Sequence, residues 1–119
     1  MRSRIVLTVV MLLLALCWGA AGVQAAGSGN LRNDKLLALP KNRQAQVLAN
    51  SFRRRCVGVR AFPMGVTATG RAKGTAYWSL GCKNGHSYVV QIPPNVKEPA
   101  VIVDCRVLEG TGKACFQKF

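Results

Sequence analysis

The stretch Thr75-Ala76-Tyr77-Trp78-Ser79-Leu80-Gly81-Cys82-Lys83-Asn84-Gly85-His86-Ser87-Tyr88-Val89-Val90-Gln91-Ile92 decides the fold of this chain. Two runs rich in aromatic and β-branched residues flank Asn84-Gly85. Asn-Gly is the preferred pair for a two-residue type I′ hairpin turn, because both central residues there have positive φ. That turn predicts Lys83 opposite His86, Leu80 opposite Val89 and Trp78 opposite Gln91. Trp78, Leu80 and Val89 then share one face, and Tyr77, Tyr88, Val90 and Ile92 the other. A hairpin that is apolar on both sides belongs in the middle of a sheet, with a helix over one face.

Upstream, Val57, Val59 and Ala61 alternate with Gly58, Arg60 and Phe62 at the period of a strand. Pro63-Met64-Gly65 is read as the break in that run. A second strand is expected from Val66 to Thr69, then a glycine-bounded basic loop at 70–74. Downstream, Pro93-Pro94-Asn95 ends the hairpin. Val101, Val103, Cys105 and Val107 alternate with Ile102, Asp104 and Arg106, and the chain turns at 109–112 and returns through Cys115-Phe116.

Before the strands, Ala45, Leu48, Ala49 and Phe52 recur at the spacing of one helical face. They predict an amphipathic helix over residues 41–54, with Pro40 acceptable at its start and Arg53, Arg54 and Arg55 suited to the negative end of its dipole. Such a helix can lie on a membrane surface, but covering the sheet is the commoner fate of a single apolar face.

The first 25 residues are set apart. Arg2 and Arg4 precede an apolar run from Ile5 to Trp18, and small residues follow with Val23 and Ala25 placed for signal-peptidase cleavage. This is the order of a secretory signal, so the expected location is periplasmic or extracellular. Two alternatives are a retained anchor, for which the run is short, and lipidation at Cys17, for which Leu16 stands where a small residue is normal. Cleavage after Ala25 removes Arg2, Arg4 and Cys17. It leaves 94 residues with 15 basic and 4 acidic side chains, a net charge of +11. Residues 26–40 are then a flexible lead-in, in which 31–39 could hold one or two helical turns before Pro40 interrupts any long helix, and residues 41–119 a single domain.

Four cysteines remain, Cys56, Cys82, Cys105 and Cys115. In an oxidising compartment they imply two disulfides, each contributing ~3 kcal/mol to a domain with a modest core. Four cysteines allow three connectivities. A three-residue loop at 109–111 would set Cys105 across from Cys115, which favours that pair and leaves Cys56 with Cys82. The expected fold is therefore α+β: a short N-terminal amphipathic helix packed on a small, mainly antiparallel sheet of four to five strands, closed by two disulfides. The combination of Cys, Trp, Asn-Gly and the Tyr-Val-Val-Gln-Ile strand resembles small exported bacterial proteins, a resemblance that carries no activity with it.

Catalytic and cofactor chemistry find little support. His86 is the single histidine, and the cysteines lack the close pairs typical of zinc sites or of thiol–disulfide oxidoreductases. A thiol nucleophile with His86 as base would need a reduced cysteine where cysteines oxidise. The acids are Asp34, Glu98, Asp104 and Glu109, and Asp104 with Glu109 is not an evident acid–base pair. Gly112-Lys113 is followed by Ala114 where a phosphate loop needs Ser or Thr.

The basic side chains remain: Arg53, Arg54, Arg55, Arg60, Arg71, Lys73 and Lys83. Such charge attracts polyanions through long-range fields and counterion release, or keeps a small protein soluble. The reading is a non-enzymatic binding module, without cofactor or metal, for an anionic surface or polymer: lipid head groups, acidic polysaccharide or nucleic acid. The alternative is an inhibitor or protein-interaction domain that presents a disulfide-framed loop, 70–74 or 93–99, to a protein target.

Overall fold

The structure, a computed structural model, describes residues 27–51 and 56–119. The expected signal segment 1–25, together with Phe52, Arg53, Arg54 and Arg55, lies outside the described residues. Among the described residues, two helices, α1 (Leu31–Leu37) and α2 (Lys41–Asn50), precede four strands, β1 (Gly58–Val66), β2 (Ala76–Cys82), β3 (Ser87–Ile92) and β4 (Val101–Asp104). The strands form one antiparallel sheet in the order β1-β2-β3-β4, and a single 3₁₀ turn (Cys105–Leu108) follows β4.

The hairpin strands β2 and β3 are central, as apolar residues on both faces require, but their register is one residue away from the two-residue-turn reading. Cys82 N donates to His86 O at 2.8 Å and Gly85 N donates to Cys82 O at 3.0 Å. The loop is thus three residues long, Lys83-Asn84-Gly85, with Gly85 at φ 88°. Asn84 Oδ1 accepts from His86 N and braces the turn. Leu80 consequently faces Tyr88 and Trp78 faces Val90. A one-residue shift exchanges the faces of one strand relative to the other, so Val90, not Val89, joins Trp78 in the core.

β1 runs unbroken through Pro63-Met64-Gly65, where a break was expected. It is an edge strand, so the missing N–H of Pro63 need not cost a ladder bond, and bulges at Gly58/Arg60 and Pro63/Gly65 absorb the irregularity.

One face of the sheet buries Ala76, Trp78, Leu80, Cys82, Val90 and Ile92 against Leu36, Ala45, Leu48 and Ala49 of the helices. Of the periodic face expected over 41–54, α2 buries Ala45, Leu48 and Ala49, and Gln44 beside them; the described helix ends at Asn50. Its approach to β1 is close: a Cβ on Gly58 would run into the Ala45 carbonyl.

The helical turns that 31–39 could hold form as α1, and the segment is anchored rather than a flexible lead-in. Asn30 is fully buried, caps α1 by accepting from Asn33 N (3.1 Å), and donates to Gly74 O (2.9 Å) and Ile92 O (2.8 Å). Asn33 Oδ1 in turn accepts from the buried indole Nε1 of Trp78 at 2.8 Å. α1 thereby supplies the polar partner that a buried Trp needs.

The other face of the sheet is crossed by the C-terminal tail. The chain does not return as a strand at Cys115-Phe116. Phe116 N donates to Ser79 Oγ (2.8 Å), Phe119 N donates to Met64 O (3.3 Å), and the Phe119 ring meets Tyr77 edge-on at 5.4 Å. The cysteines form Cys56–Cys82, which ties the start of β1 to the end of β2, and Cys105–Cys115, which ties the 3₁₀ turn to the tail.

Candidate functional site

The described cations singled out in the sequence fall into two groups. Arg71 and Lys73 are exposed in the loop that joins β1 to β2. Lys83 is exposed at the tip of the β2–β3 hairpin, at the other end of the sheet. Arg60 lies near that second end, because it pairs with Gly81. The seven residues of β2 separate the two groups by about 20 Å. The structure thus brings Arg60 and Lys83 to one end and Arg71 and Lys73 to the other, and does not gather all four on one patch. Arg53, Arg54 and Arg55 lie outside the described residues and directly precede Cys56 in sequence.

The carboxylates do little to neutralise this charge. Asp34 accepts from Ser28 N (3.1 Å) and Ser28 Oγ (2.7 Å) at the start of α1. Asp104 accepts from Arg106 N, Nε and Nη2 at 2.9–3.1 Å, in the only ion pair among the described residues. Hydrogen bonds from the Arg106 side chain and backbone hold the Asp104 carboxyl below the usual carboxylate range, and the guanidinium is raised in return. Arg60 makes a different contact, stacking its guanidinium 3.9 Å from the centroid of the Phe116 ring. Arg71, Lys73 and Lys83 form no ion pair among the described residues.

Each of the four cysteines Cys56, Cys82, Cys105 and Cys115 has its sulfur bonded to another sulfur, so none offers a thiolate as nucleophile or metal ligand. His86 is exposed beside the hairpin turn. Among the described residues no three of His, Cys, Asp or Glu cluster as metal ligands. Asp104 is engaged by Arg106 at the end of β4, and Glu109 closes the 3₁₀ turn, its N–H donating to Arg106 O at 3.1 Å.

Loop 70–74 lies within the ring that Cys56–Cys82 closes but far from the bridge itself, and loop 93–99 lies outside both rings. Cys56–Cys82 closes the opposite end of the sheet from both. Loop 70–74 is held by backbone hydrogen bonds instead, Lys73 N to Gly70 O and Gly74 N to Thr67 O, and by the anchor from Asn30 to Gly74 O.

Apolar grooves open on the surface of the described residues. One, of about 660 Å³, lies on the tail side of the sheet and is lined by Tyr77, Val89, Val103, Val107 and Phe119 among others. Another, of about 230 Å³, lies between the helices and the sheet. Leu36, Leu48, Val90 and Ile92 line it, and Arg32 and Lys35 of α1 stand at it with no acidic residue. Sequence reading passed over Arg32 and Lys35 because they fell in the presumed lead-in. The signal that would have found them is the helical spacing of Arg32, Lys35 and Leu36, three and four residues apart.

Compared with known protein families, with curated proteins and with solved structures, the chain matches none. Two disulfides in a domain of this size are consistent with a disulfide-bonded extracellular protein. Among the described residues no helix is long and apolar enough to cross a membrane.

Proposed function

We propose that this is a small exported, non-enzymatic binding protein that holds an anionic surface or polymer through its arginines and lysines. The observation that carries the reading is the exposure of Arg60, Arg71, Lys73 and Lys83 at both ends of one sheet, none of them neutralised by a carboxylate among the described residues. Cations spread over about 20 Å suit an extended or multivalent anion better than a single small one. Lipid head groups, acidic polysaccharide and nucleic acid all present charge in this way. Arg53, Arg54 and Arg55 add to the same balance from sequence. Export by the N-terminal segment completes the proposal, since it puts the cysteines where disulfides persist.

The test is binding to heparin, to duplex DNA and to vesicles with anionic lipid, each over a range of salt. For DNA, the log of the affinity falls linearly with the log of salt, with a slope of about −0.9 per phosphate contacted. Replacing Arg60, Arg71, Lys73 and Lys83 together by Ala flattens that slope by up to about four contacts' worth. Affinity that ignores both salt and these substitutions would refute the reading. The intact mass of the exported protein tests the compartment: residues 26–119 with two disulfides are expected, and a chain that keeps its first 25 residues would contradict cleavage.

A further inference from the structure

The groove between the helices and the sheet has the chemistry of a binding site of its own. Its interior is apolar, built from Leu36 of α1, Val47 and Leu48 of α2, and Val90 and Ile92 of β3. Its charged lining is entirely cationic, Arg32 and Lys35, one helical turn apart on α1. Arg32 is held in place: Nη2 donates to Pro93 O (2.6 Å) and Asn95 O (3.0 Å). Its Nε is buried and has no acceptor among the described residues. Two cations at an apolar groove with no acidic residue in its lining favour an oxyanion, the partner a guanidinium meets best. At about 230 Å³ the space falls below the roughly 300–1,000 Å³ of sites for drug-sized ligands, which suits a small amphiphile.

We propose that this groove binds a fatty acid, a carboxylate carrying a single hydrocarbon chain, with the chain among Leu36, Leu48, Val90 and Ile92 and the carboxylate on Arg32 and Lys35. Burial of the chain supplies affinity without direction. The two cations supply orientation and select the anion. The site is separate from the polyanion-binding cations, since neither Arg32 nor Lys35 is among them.

The experiment uses the mature, disulfide-bonded protein and decanoate below its micelle concentration, followed by methyl NMR. Saturable shifts of the Leu36, Leu48, Val90 and Ile92 methyls are expected. Decanol, which keeps the chain and lacks the charge, binds about tenfold more weakly, and decyltrimethylammonium weaker still. Arg32 also supports the 93–95 loop, so the charge test is made at Val47, which is exposed and lines the groove. Val47→Asp weakens decanoate binding and Val47→Lys preserves or strengthens it, with both variants folded by near-UV circular dichroism. Binding survives replacement of Arg60, Arg71, Lys73 and Lys83, so failure of the polymer reading leaves this one standing. Equal binding of decanoate and decanol, equal weakening by Val47→Asp and Val47→Lys, or shifts confined to other methyls overturns the proposal. So does decyl phosphate binding more than tenfold tighter than decanoate, which would assign the site to phosphate amphiphiles.

Discussion

Asn30 is the residue at which the anchoring of the N-terminal segment can be measured. It performs three tasks from one buried position: Oδ1 caps α1 at Asn33 N, and Nδ2 donates to Gly74 O and to Ile92 O. Asn30→Ala removes the cap, at about 1 kcal/mol. It also leaves two carbonyls without this donor, at about 1 kcal/mol each. The sum is about 3 kcal/mol, a large part of the ~5–15 kcal/mol that holds a domain folded. For a domain of this size it corresponds to a fall in Tm of roughly 12–24 °C. Urea unfolding with disulfides intact measures it, with the fluorescence of Trp78 as probe; once the first 25 residues are removed Trp78 is the only tryptophan. Asn30→Asp is the sharper variant. It keeps the capping oxygen but turns the amide into an anionic oxygen facing two carbonyls, so at neutral pH it destabilises at least as much as Ala. Burial beside two acceptors raises the folded-state pKa of such an aspartate above its unfolded value. Its penalty is therefore full at high pH and is relieved as pH falls through the folded pKa, which the Ala variant does not show. If Asn30→Ala changed stability by no more than the exposed Asn42→Ala, within about 0.5 kcal/mol, the segment would be the loose lead-in after all.

Other outcomes follow from particular contacts. Gly58→Ala drives a methyl into the Ala45 carbonyl and against Ala49 Cβ, and is expected to cost about 2–3 kcal/mol by prising α2 from β1, measured by the same unfolding assay. Replacing Cys56 and Cys82 by Ala reopens a 26-residue loop, worth about 3.5 kcal/mol in the chain-entropy account, whereas replacing Cys105 and Cys115 reopens one of 10 residues, worth about 2.7 kcal/mol; the first pair should show the larger loss. Arg106→Ala removes the side-chain hydrogen bonds that depress Asp104 but keeps the one from the residue-106 backbone N–H, so an NMR titration should find its carboxyl rising part of the way back toward the usual carboxylate range. Because the folded-state pKa is the lower one, the stability this pair contributes is present above the unfolded pKa and is lost as pH falls through the folded value. The pair is exposed, so its removal leaves Tm nearly unchanged.

Local patterns along the chain are informative wherever one element decides its own character. Ala45, Leu48 and Ala49 mark the buried face of α2 by spacing alone, because a helix repeats its faces every 3.6 residues whatever it packs against. Asn84-Gly85 marks a reversal because glycine tolerates positive φ, and the runs beside it mark central strands because both their faces are apolar. The pairing of Cys105 with Cys115 is favoured by a short local loop, although the residues between them form a 3₁₀ turn and a tail rather than two strands.

Other features are settled only in three dimensions. Asn-Gly serves a two-residue turn and a three-residue one, and burial of Trp78 and Val90 against the helices accompanies the second. Pro63 reads as a terminator because sequence does not reveal that β1 is an edge. The 30–40 segment reads as loose because its partners are far away in the chain: Asn30 meets Gly74 and Ile92, Asn33 meets Trp78, and Arg32 meets Pro93 and Asn95. The same distance hides the groove at Arg32 and Lys35 and the separation of Arg71 and Lys73 from Lys83. By itself the sequence determined the kinds of element, the excess of positive charge and the cysteine framework, since these depend on neighbours along the chain. Register, the anchoring of the N-terminal segment and the places where charge and apolar surface meet were decided by tertiary structure, because hydrogen bonds and contacts between residues forty or more positions apart leave no periodic trace in either partner.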